Sequence, residues 1–214
     1  MDQINIHHIR PTVKVGLFNK ASQLWDTEIS FNKGERYLLV SQSGRGKTSV
    51  LSFIYGIRFD YTGMITIDGE DVRSFSRSRW SEVRAREMSI LFQDLRLFNQ
   101  LSARDNIRLK QEIGVFNGGP TVEEIASALE LSPLMEKRCD TLSYGEQQRV
   151  AIIRSLVQPF DFLLMDEPFS HIDNINTGKA IDLIDEACKC RGAALIFTSL
   201  GDNYGIDFDH VIEV

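Results

Sequence analysis

Long apolar segments are missing from this sequence. No run of hydrophobic residues approaches the roughly 20 that cross a bilayer as a helix. The opening residues, MDQINIHHIR, also lack the apolar stretch of a secretory signal. We therefore expect any membrane involvement to come through a partner chain.

An excess of positive charge is missing as well. The 214 residues include 24 lysines and arginines against 30 aspartates and glutamates, which gives a net charge of −6. A broad basic face that binds nucleic acid is therefore not expected. Residues 73–87 nevertheless carry five arginines against two glutamates. A solvated helix face and proximity to anionic lipid headgroups both explain such a cluster.

Cysteine and histidine are scarce. Cys139, Cys188 and Cys190 have no spacing typical of a zinc site, and only four histidines are available to assist them. We interpret the cysteines as small buried or half-buried thiols in a reducing cytosol. The remaining composition, 43% hydrophobic and 25% charged, is that of one globular domain.

Strand and helix patterns alternate along most of the chain, which predicts an α/β layer architecture. Before residue 33 the β-like pieces are short and have no helix between them, which predicts an antiparallel sheet beside the main one. Predicted strands of the two sheets cover residues 4–9, 13–18, 28–31, 36–40, 64–67, 88–92, 160–165, 193–198 and 210–214.

Helical patterns fill the rest of the chain. A helix is predicted from about Lys47, and residues 102–158 are predicted to be helical throughout. Two capping boxes, a hydroxyl residue followed three residues later by glutamate, mark helix starts within that stretch. They are Thr121 with Glu124 and Ser143 with Glu146.

A glycine-rich turn between a predicted strand and a predicted helix has the pattern of a phosphate-binding loop. Residues 41–48 read SQSGRGKT and match G-x-x-x-x-G-K-[ST] except that Ser41 replaces the first glycine. Gly44 and Gly46 let backbone N–H groups curl around phosphates, and the helix N-terminus adds positive potential. Lys47 can neutralise the β- and γ-phosphates, and the Thr48 hydroxyl can bind Mg²⁺. A residue with a Cβ at position 41 restricts the turn.

An acidic pair follows a hydrophobic strand further along the chain. Residues 162–165 are apolar and lead directly into Asp166, Glu167 and Pro168. Carboxylates at the carboxyl end of a strand lie where α/β proteins bind ligands. Asp166 suits the coordination of Mg²⁺, and Glu167 suits the polarisation of an attacking water.

Residues 142–151, LSYGEQQRVA, lie between these two motifs. With them the chain resembles the ABC (ATP-binding cassette) family of transport ATPases over nearly its whole length. The signature of that family reads LSGGQ or LSGGE and usually continues QQRVA. This sequence differs from it by Tyr144, which replaces the first glycine. The short chain and the segment FQDLRLF resemble the lipoprotein-release, macrolide-export and cell-division branch.

The resemblance implies a P-loop NTPase (RecA-like) fold whose mostly parallel sheet carries an N-terminal antiparallel β subdomain and a helical insert with the signature. The implied division is a nucleotide-binding core of residues 1–92 and 159–214 and a helical subdomain of residues 93–158. ATP and Mg²⁺ are the implied ligands. The implied nucleotide contacts from the phosphate loop are Ser41, Gln42, Ser43, Gly44, Arg45, Gly46, Lys47, Thr48 and Ser49.

The resemblance also implies a homodimer that closes on ATP. In the family, the signature of one protomer caps the ATP held by the phosphate loop of the other. That role falls here to Ser143, Gly145 and Glu146, with the helix N-terminus donating N–H groups to the γ-phosphate. Asp173, in the segment SHID, matches the loop that contacts the other protomer.

Gln93 matches the family glutamine that senses Mg²⁺ and the attacking water. The residues after it carry Leu95, Leu97 and Phe98. Two interpretations stay open for these apolar side chains. In the first, they bind an integral-membrane permease subunit docked at residues 93–98. Such docking would place the chain peripherally on the cytoplasmic face of the inner (plasma) membrane. In the second, they pack inside the helical insert.

Two positions are ambiguous or depart from the family pattern. Phe18 matches the aromatic residue that stacks on adenine, with Trp25 or a plain core aromatic as the alternatives. After the strand at residues 194–198 the family usually has a histidine that contacts the γ-phosphate, whereas this chain has Ser199. Ser199 can form a hydrogen bond but has neither the charge nor the reach of an imidazole.

Three functions follow from these features. The first is the ATPase subunit of an ABC transporter or of a transporter-like complex, with Glu167, Gln93 and Lys47 as its catalytic residues. The second is a degenerate ATP-dependent switch with slow or no hydrolysis. The third is a soluble ABC ATPase that acts on DNA or ribosomes. Family members that act on chromosomes separate the phosphate loop and the signature by a long coiled coil, and those that act on ribosomes typically have two cassettes in tandem. This sequence shows neither feature.

Overall fold

The computed structural model describes residues 1–12, 22–42, 44, 46–114 and 120–214. Its elements in chain order are β1 (Gln3–Pro11), β2 (Glu28–Asn32), β3 (Arg36–Val40), α1 (Lys47–Ile54), β4 (Tyr61–Ile67), β5 (Glu70–Asp71), α2 (Arg77–Glu82), β6 (Met88–Leu91), α3 (Ala103–Gln111), α4 (Val122–Ala128), α5 (Tyr144–Leu156), β7 (Phe162–Asp166), α6 (Asn174–Arg191), β8 (Ala194–Ser199) and β9 (His210–Glu213).

Two sheets form the framework. The larger has the strand order β6-β7-β8-β3-β9, and each of its pairings is parallel. Its central strands β7 and β8 are buried along their whole length, as expected for a parallel sheet covered on both faces. The smaller sheet is antiparallel, in the order β2-β1-β4-β5. The predicted α/β architecture with a flanking antiparallel sheet is confirmed.

Helix α1 lies in the core between the two sheets. Seven of its eight residues are buried, and its apolar side chains belong to one cluster with residues of both sheets. Ile6 of the antiparallel sheet and Ile196 of the parallel sheet are both fully buried in that cluster. The packing fixes the start of α1, and therefore the loop before it, against the end of β3.

The prediction that residues 102–158 are helical throughout is wrong. Helices α3, α4 and α5 are separate, and short 3₁₀ turns at Ser132–Leu134 and Cys139–Thr141 lie between the last two. Thr121 and Ser143 cap new helices, and both predicted capping boxes are present. A capping residue has non-helical backbone angles, so each cap requires the preceding segment to leave the helix.

The arginines of residues 73–87 are largely used within the fold. Arg73 donates to the Tyr61 carbonyl, Arg84 donates to the Gly56 carbonyl, and Arg79 pairs with Glu87. Of the three cysteines, Cys139 and Cys188 are buried and Cys190 is exposed. Among the described residues, no helix is both long and apolar enough to cross a membrane.

Candidate functional site

The loops that follow β3, β6, β7 and β8 meet at one edge of the parallel sheet. Parallel strands all end on the same side, and this side is where open α/β sheets bind ligands. The four loops carry the predicted phosphate loop, Gln93, the acidic pair and Ser199. The structure therefore brings together groups that lie up to 158 positions apart in the sequence, Ser41 and Ser199 among them.

The phosphate loop depends on glycine at two described positions. Gly44 and Gly46 have φ angles of 80° and 104°, in the left-handed region that side chains other than glycine rarely adopt. A Cβ at Gly46 would also lie 2.7 Å from the ring of Trp25. Ser43 and Arg45 lie outside the described residues. The backbone of Ser41 does not have a positive φ, so its side chain causes no strain at this turn.

Lys47 begins α1 and is enclosed by the loop. Its side chain is 4% exposed, and its Nζ donates to the Ser41 carbonyl oxygen at 2.5 Å. The same Nζ lies 3.4 Å from Oε1 of Glu167. The ammonium group is therefore already directed into the loop, where an anion would meet it together with the N-terminus of α1.

Asp166 ends β7 deep in the edge of the sheet. It is 1% exposed, and its Oδ1 accepts a hydrogen bond from Oγ1 of Thr198 at 2.8 Å. Burial raises the pKa of the Asp166 carboxyl. Hydrogen bonds from the hydroxyls of Thr48 and Thr198 oppose this rise. A divalent cation would offset the same cost of desolvation, and an aspartate oxygen beside a threonine hydroxyl suits Mg²⁺.

Glu167 is held in a strained backbone conformation. Its φ is 48°, and its backbone N–H donates to Oγ1 of Thr198 at 3.0 Å. The Gln93 side-chain amide lies 3.4 Å from Oε2 of Glu167, so these two predicted site residues are neighbours. One residue, Thr198, thus holds both the carboxylate of Asp166 and the backbone of Glu167. Sequence reasoning missed Thr198, although its register opposite Asp166 follows once β7 and β8 are paired.

The predicted signature segment begins α5. Ser143 accepts a hydrogen bond from the Glu146 amide, and the Glu146 carboxylate accepts from the Ser143 amide and hydroxyl. These bonds, the backbone one first, hold the pKa of the Glu146 carboxyl below its usual value. The start of α5 is therefore stabilised by its own side chains.

Two contacts attach α5 to the loop that follows the acidic pair. The buried Gln148 side chain accepts from the His171 amide at 3.1 Å and donates to the Glu167 carbonyl at 3.4 Å. Gly145 approaches the same loop so closely that a Cβ there would lie 2.7 Å from the His171 carbonyl oxygen. The signature helix and the acidic loop are thus packed as one unit.

We expect Gly145→Ala to lower the free energy of unfolding by about 1–3 kcal/mol, because its methyl group would overlap backbone rather than a movable side chain. Gly178→Ala is the matched control, since Gly178 lies within α6 and a methyl group added there would meet no atom within 4 Å beyond its chain neighbours and the backbone of its own helix. This control should gain roughly 0.5–1 kcal/mol. Urea unfolding of both variants measures the difference. Equal stability of the two would contradict the close contact.

The other predicted site residues have different surroundings. Asp173 caps α6 by accepting from the amides of Ile175 and Asn176. Ser199 is 2% exposed, and its hydroxyl accepts from the Gly201 amide at 3.1 Å. Phe18 lies outside the described residues. Trp25 is buried in the core, so the adenine-stacking alternative for this residue is not supported.

The apolar residues after Gln93 divide between the two interpretations. Leu95 is buried in the core beneath the helical segment, so its interpretation as an exposed docking residue is wrong. Leu97 is half-buried and packs partly against the same core. Phe98 is 59% exposed. The carbonyl oxygens of Leu95 and Arg96 accept from the half-buried Arg154 guanidinium, which holds this turn of the chain against α5.

These features define a class of protein. A glycine-rich loop that leads into a helix with a buried lysine, beside an acidic pair at the edge of a parallel sheet, is the arrangement of a P-loop nucleotide-binding protein. The chain matches the ABC transporter family over residues 24–170 and belongs to that family. As a member it is an ATP-binding ABC cassette.

Similar proteins of known name agree with this assignment. The chain is 31% identical over 180 residues to the thiamine import ATP-binding protein ThiQ of Vibrio parahaemolyticus, covering 83% of this chain and 74% of ThiQ. It is 34% identical over 194 residues to the molybdate/tungstate import ATP-binding protein WtpC of Thermococcus kodakarensis, covering 86% of this chain and 57% of WtpC. The chain thus spans little more than half the length of WtpC.

The fold agrees with that of a solved ABC cassette. The dimeric structure of MJ0796, a bacterial ABC transporter cassette, superposes with a TM-score of 0.84, covering 99% of this chain and 94% of the other at 21% identity. The predicted P-loop NTPase fold with a flanking antiparallel sheet is confirmed. The assignment to the lipoprotein-release, macrolide-export and cell-division branch is wrong, because ThiQ and WtpC are import proteins.

Proposed function

We propose that the chain is the ATPase subunit of an importer, that two copies close around two Mg·ATP, and that the closure drives a transmembrane partner. One observation carries the proposal: Lys47, Gln93, Asp166 and Glu167 converge at one edge of the sheet, with the signature helix packed against the same loop. The names of ThiQ and WtpC favour import as the direction. The division into a core of residues 1–92 and 159–214 and a helical subdomain of residues 93–158 is part of this proposal.

The phosphates of ATP would bind in the loop of residues 41–49. The N–H groups around Gly44 and Gly46 and the N-terminus of α1 supply a concave positive site. Lys47 would exchange its contact with the Ser41 carbonyl for the β- and γ-phosphates. Ser49, also buried, would lie in the first turn of the helix under the phosphates.

Mg²⁺ would be held by oxygens of Thr48, Asp166 and Gln93 together with the phosphates. When bound, it would neutralise charge that develops on the phosphate oxygens. Glu167 would orient the attacking water and accept its proton, since its carboxylate lies between the ammonium of Lys47 and the amide of Gln93. Thr198 would hold the backbone of Glu167 and the carboxylate of Asp166 in register.

A second copy would complete each site. Ser143, Gly145 and Glu146 at the exposed start of α5 would face the γ-phosphate of the partner copy, with Asp173 at the contact between the copies. Exposed apolar side chains support such a contact. Ile175, two residues after Asp173, is 72% exposed, and Leu200, next to Ser199, is 60% exposed. Large apolar side chains exposed on loops beside a ligand site favour burial by a partner.

The membrane partner would dock at residues 93–98, where Phe98 provides the exposed contact. The backbone of Phe98 is fixed to α3 through two hydrogen bonds with the Asn106 side chain. Leu109 and Ile113 follow along the chain and are 41% and 47% exposed. A chain that docks in this way would lie peripherally on the cytoplasmic face of the inner (plasma) membrane.

We expect Phe98→Asp to reduce co-purification of the membrane partner about tenfold or more, because a charge would replace an apolar anchor. The tagged chain is isolated from detergent-solubilised membranes, and mass spectrometry identifies a polytopic membrane protein. Val211→Asp is the control, since Val211 on β9 is also 59% exposed. Equal yields of the partner with Phe98→Asp and the unmutated chain would contradict docking at this loop.

The geometry at Ser199 favours a second candidate, a switch that closes on ATP but hydrolyses it slowly. The hydroxyl of Ser199 is buried and already bonded to the Gly201 amide, so it stabilises its own loop. A histidine at the same place could reach the γ-phosphate and hold Glu167 and the water in line. Without it, the isolated chain would turn over slowly.

Ser199→His should then raise kcat about tenfold, since a positioned acid or base contributes at least that much. ATP affinity should change less than about twofold, because Lys47 and the loop provide the binding energy. Ser199→Ala is the control and should leave kcat nearly unchanged. Hydrolysis by the unmutated chain near the typical enzyme value of ~10 s⁻¹ would remove the switch as a candidate.

A further inference from the structure

Tyr144 departs from the signature pattern of the family, and the structure gives it specific contacts. Its hydroxyl donates to the backbone carbonyl oxygen of Gln93 at 3.1 Å. Its ring packs edge-on against the ring of His171, with the centroids 4.4 Å apart. The side chain therefore bridges the loop after β6 and the loop after β7, although it is itself 44% exposed.

These contacts connect the signature helix to the acidic pair by a second route. The first route is the direct bond between Gln148 and the Glu167 carbonyl. The second runs from the Tyr144 hydroxyl to the Gln93 backbone, and from the Gln93 amide to the Glu167 carboxylate. A glycine at position 144 would leave only the first route.

The loop that Tyr144 contacts contains two residues with unfavourable backbone angles. Leu95 and Arg96, two and three residues after Gln93, have φ angles of 57° and 47°, which cost free energy for residues other than glycine. Arg154 holds the carbonyl oxygens of these two residues from one side. Tyr144 holds the carbonyl oxygen of Gln93, so the backbone of residues 93–96 is bonded at both of its ends. The side chain of Gln93, at the start of this segment, is directed at Glu167.

We propose that Tyr144 is a positioning residue for ATP hydrolysis: its hydroxyl fixes Gln93 against Glu167 and so couples the signature helix of a protomer to the carboxylate of the same protomer. The inference rests on the proposed function. The signature helix faces the ATP of the partner copy, so a shift of that helix reaches Glu167 through Tyr144 and Gln93. Closure of the two copies would remove water from the bond and strengthen it.

The test compares Tyr144→Phe and Tyr144→Gly with the unmutated chain. Tyr144→Phe keeps the ring contact with His171 and loses only the hydroxyl. Tyr61→Phe is the matched control, because the Tyr61 hydroxyl is buried and, among the described residues, has no hydrogen-bond partner. Two measurements are made. The first is amide hydrogen exchange of residues 92–97 without nucleotide. The second is ATP hydrolysis under single-turnover and steady-state conditions, which separates the rate of the chemical step from that of product release.

Loss of one hydrogen bond should speed exchange of residues 92–97 and lower the single-turnover rate by about three- to tenfold in Tyr144→Phe. The KM for ATP should stay within about twofold, since no residue of the phosphate loop is altered. Tyr144→Gly should show at least the same loss, and Tyr61→Phe should show none. A purely structural role would lower the melting temperature and leave the rate of the folded protein unchanged.

Unchanged exchange in Tyr144→Phe would overturn the inference, and so would faster exchange with an unchanged hydrolysis rate. The exchange comparison needs no nucleotide, so failure of the Tyr144 inference can be distinguished from failure of the proposed function. An unmutated chain that neither binds nor hydrolyses ATP would overturn the proposed function. The difference in exchange would still decide whether the Tyr144 hydroxyl fixes the loop.

Discussion

We expect the Glu167→Gln variant to hydrolyse ATP about 10²- to 10⁴-fold more slowly than the unmutated chain. The amide keeps the shape of the carboxylate but cannot accept a proton from water. The oxygen atoms of Glu167 lie 3.4 Å from the Lys47 ammonium and 3.4 Å from the Gln93 amide, so the carboxylate is placed between two groups that also face the nucleotide site. Release of inorganic phosphate measures the rate.

The control for this variant is Glu136→Gln, which removes an equal charge from an exposed residue paired with Arg104. It should hydrolyse ATP at the rate of the unmutated chain. ATP binding should persist in Glu167→Gln, because the phosphate loop is unaltered. A rate within about threefold of the unmutated chain would contradict the role of Glu167 as the general base.

Lys47→Ala should abolish the thermal stabilisation of the chain by Mg·ATP. At an ATP concentration of about 100 times Kd, binding stabilises a protein by about 2.7 kcal/mol, which is roughly 5–10 °C in Tm for a chain of this size. The Nζ of Lys47 is buried and directed into the loop, so its removal leaves the β- and γ-phosphates without their main counter-charge. Differential scanning fluorimetry with and without Mg·ATP measures the shift.

Lys179→Ala serves as the comparison, because Lys179 pairs with Glu130 at the surface and should not affect the shift. The unmutated chain and this control should both gain stability with ATP. A Tm of the unmutated chain that millimolar Mg·ATP does not change would contradict the assignment of residues 41–48 as a phosphate loop.

Features encoded by neighbouring residues could be predicted from the sequence. The positive φ angles at Gly44 and Gly46 follow from the glycines themselves, and the place of Asp166 follows from the apolar run that precedes it. Both capping boxes were predicted because each depends on residues three positions apart. Local patterns of this kind specify strand ends and helix starts. Because the strands of the larger sheet are parallel, their carboxyl ends all lie at one edge of that sheet.

Features that depend on tertiary contacts could not be predicted. Leu95 looks like an exposed loop residue in the sequence, but its side chain packs into the hydrophobic core, and Arg154, 59 positions away, binds its carbonyl oxygen. Thr198 looks like an ordinary strand residue until β8 pairs with β7. Tyr144 appears as a defect in the signature, whereas its contact with Gln93 spans 51 positions.

The most direct test of the proposed function is the mass of the Glu167→Gln variant in solution. Blocked hydrolysis keeps both ATP molecules in place, and each completes its contacts only when a second copy supplies Ser143 and Gly145. Light scattering with saturating Mg·ATP should therefore show the mass double from the 24.3 kDa of one chain, and the Lys47→Ala/Glu167→Gln double variant should remain at 24.3 kDa. A Glu167→Gln variant that binds ATP and remains at 24.3 kDa would contradict closure of two copies around the nucleotide.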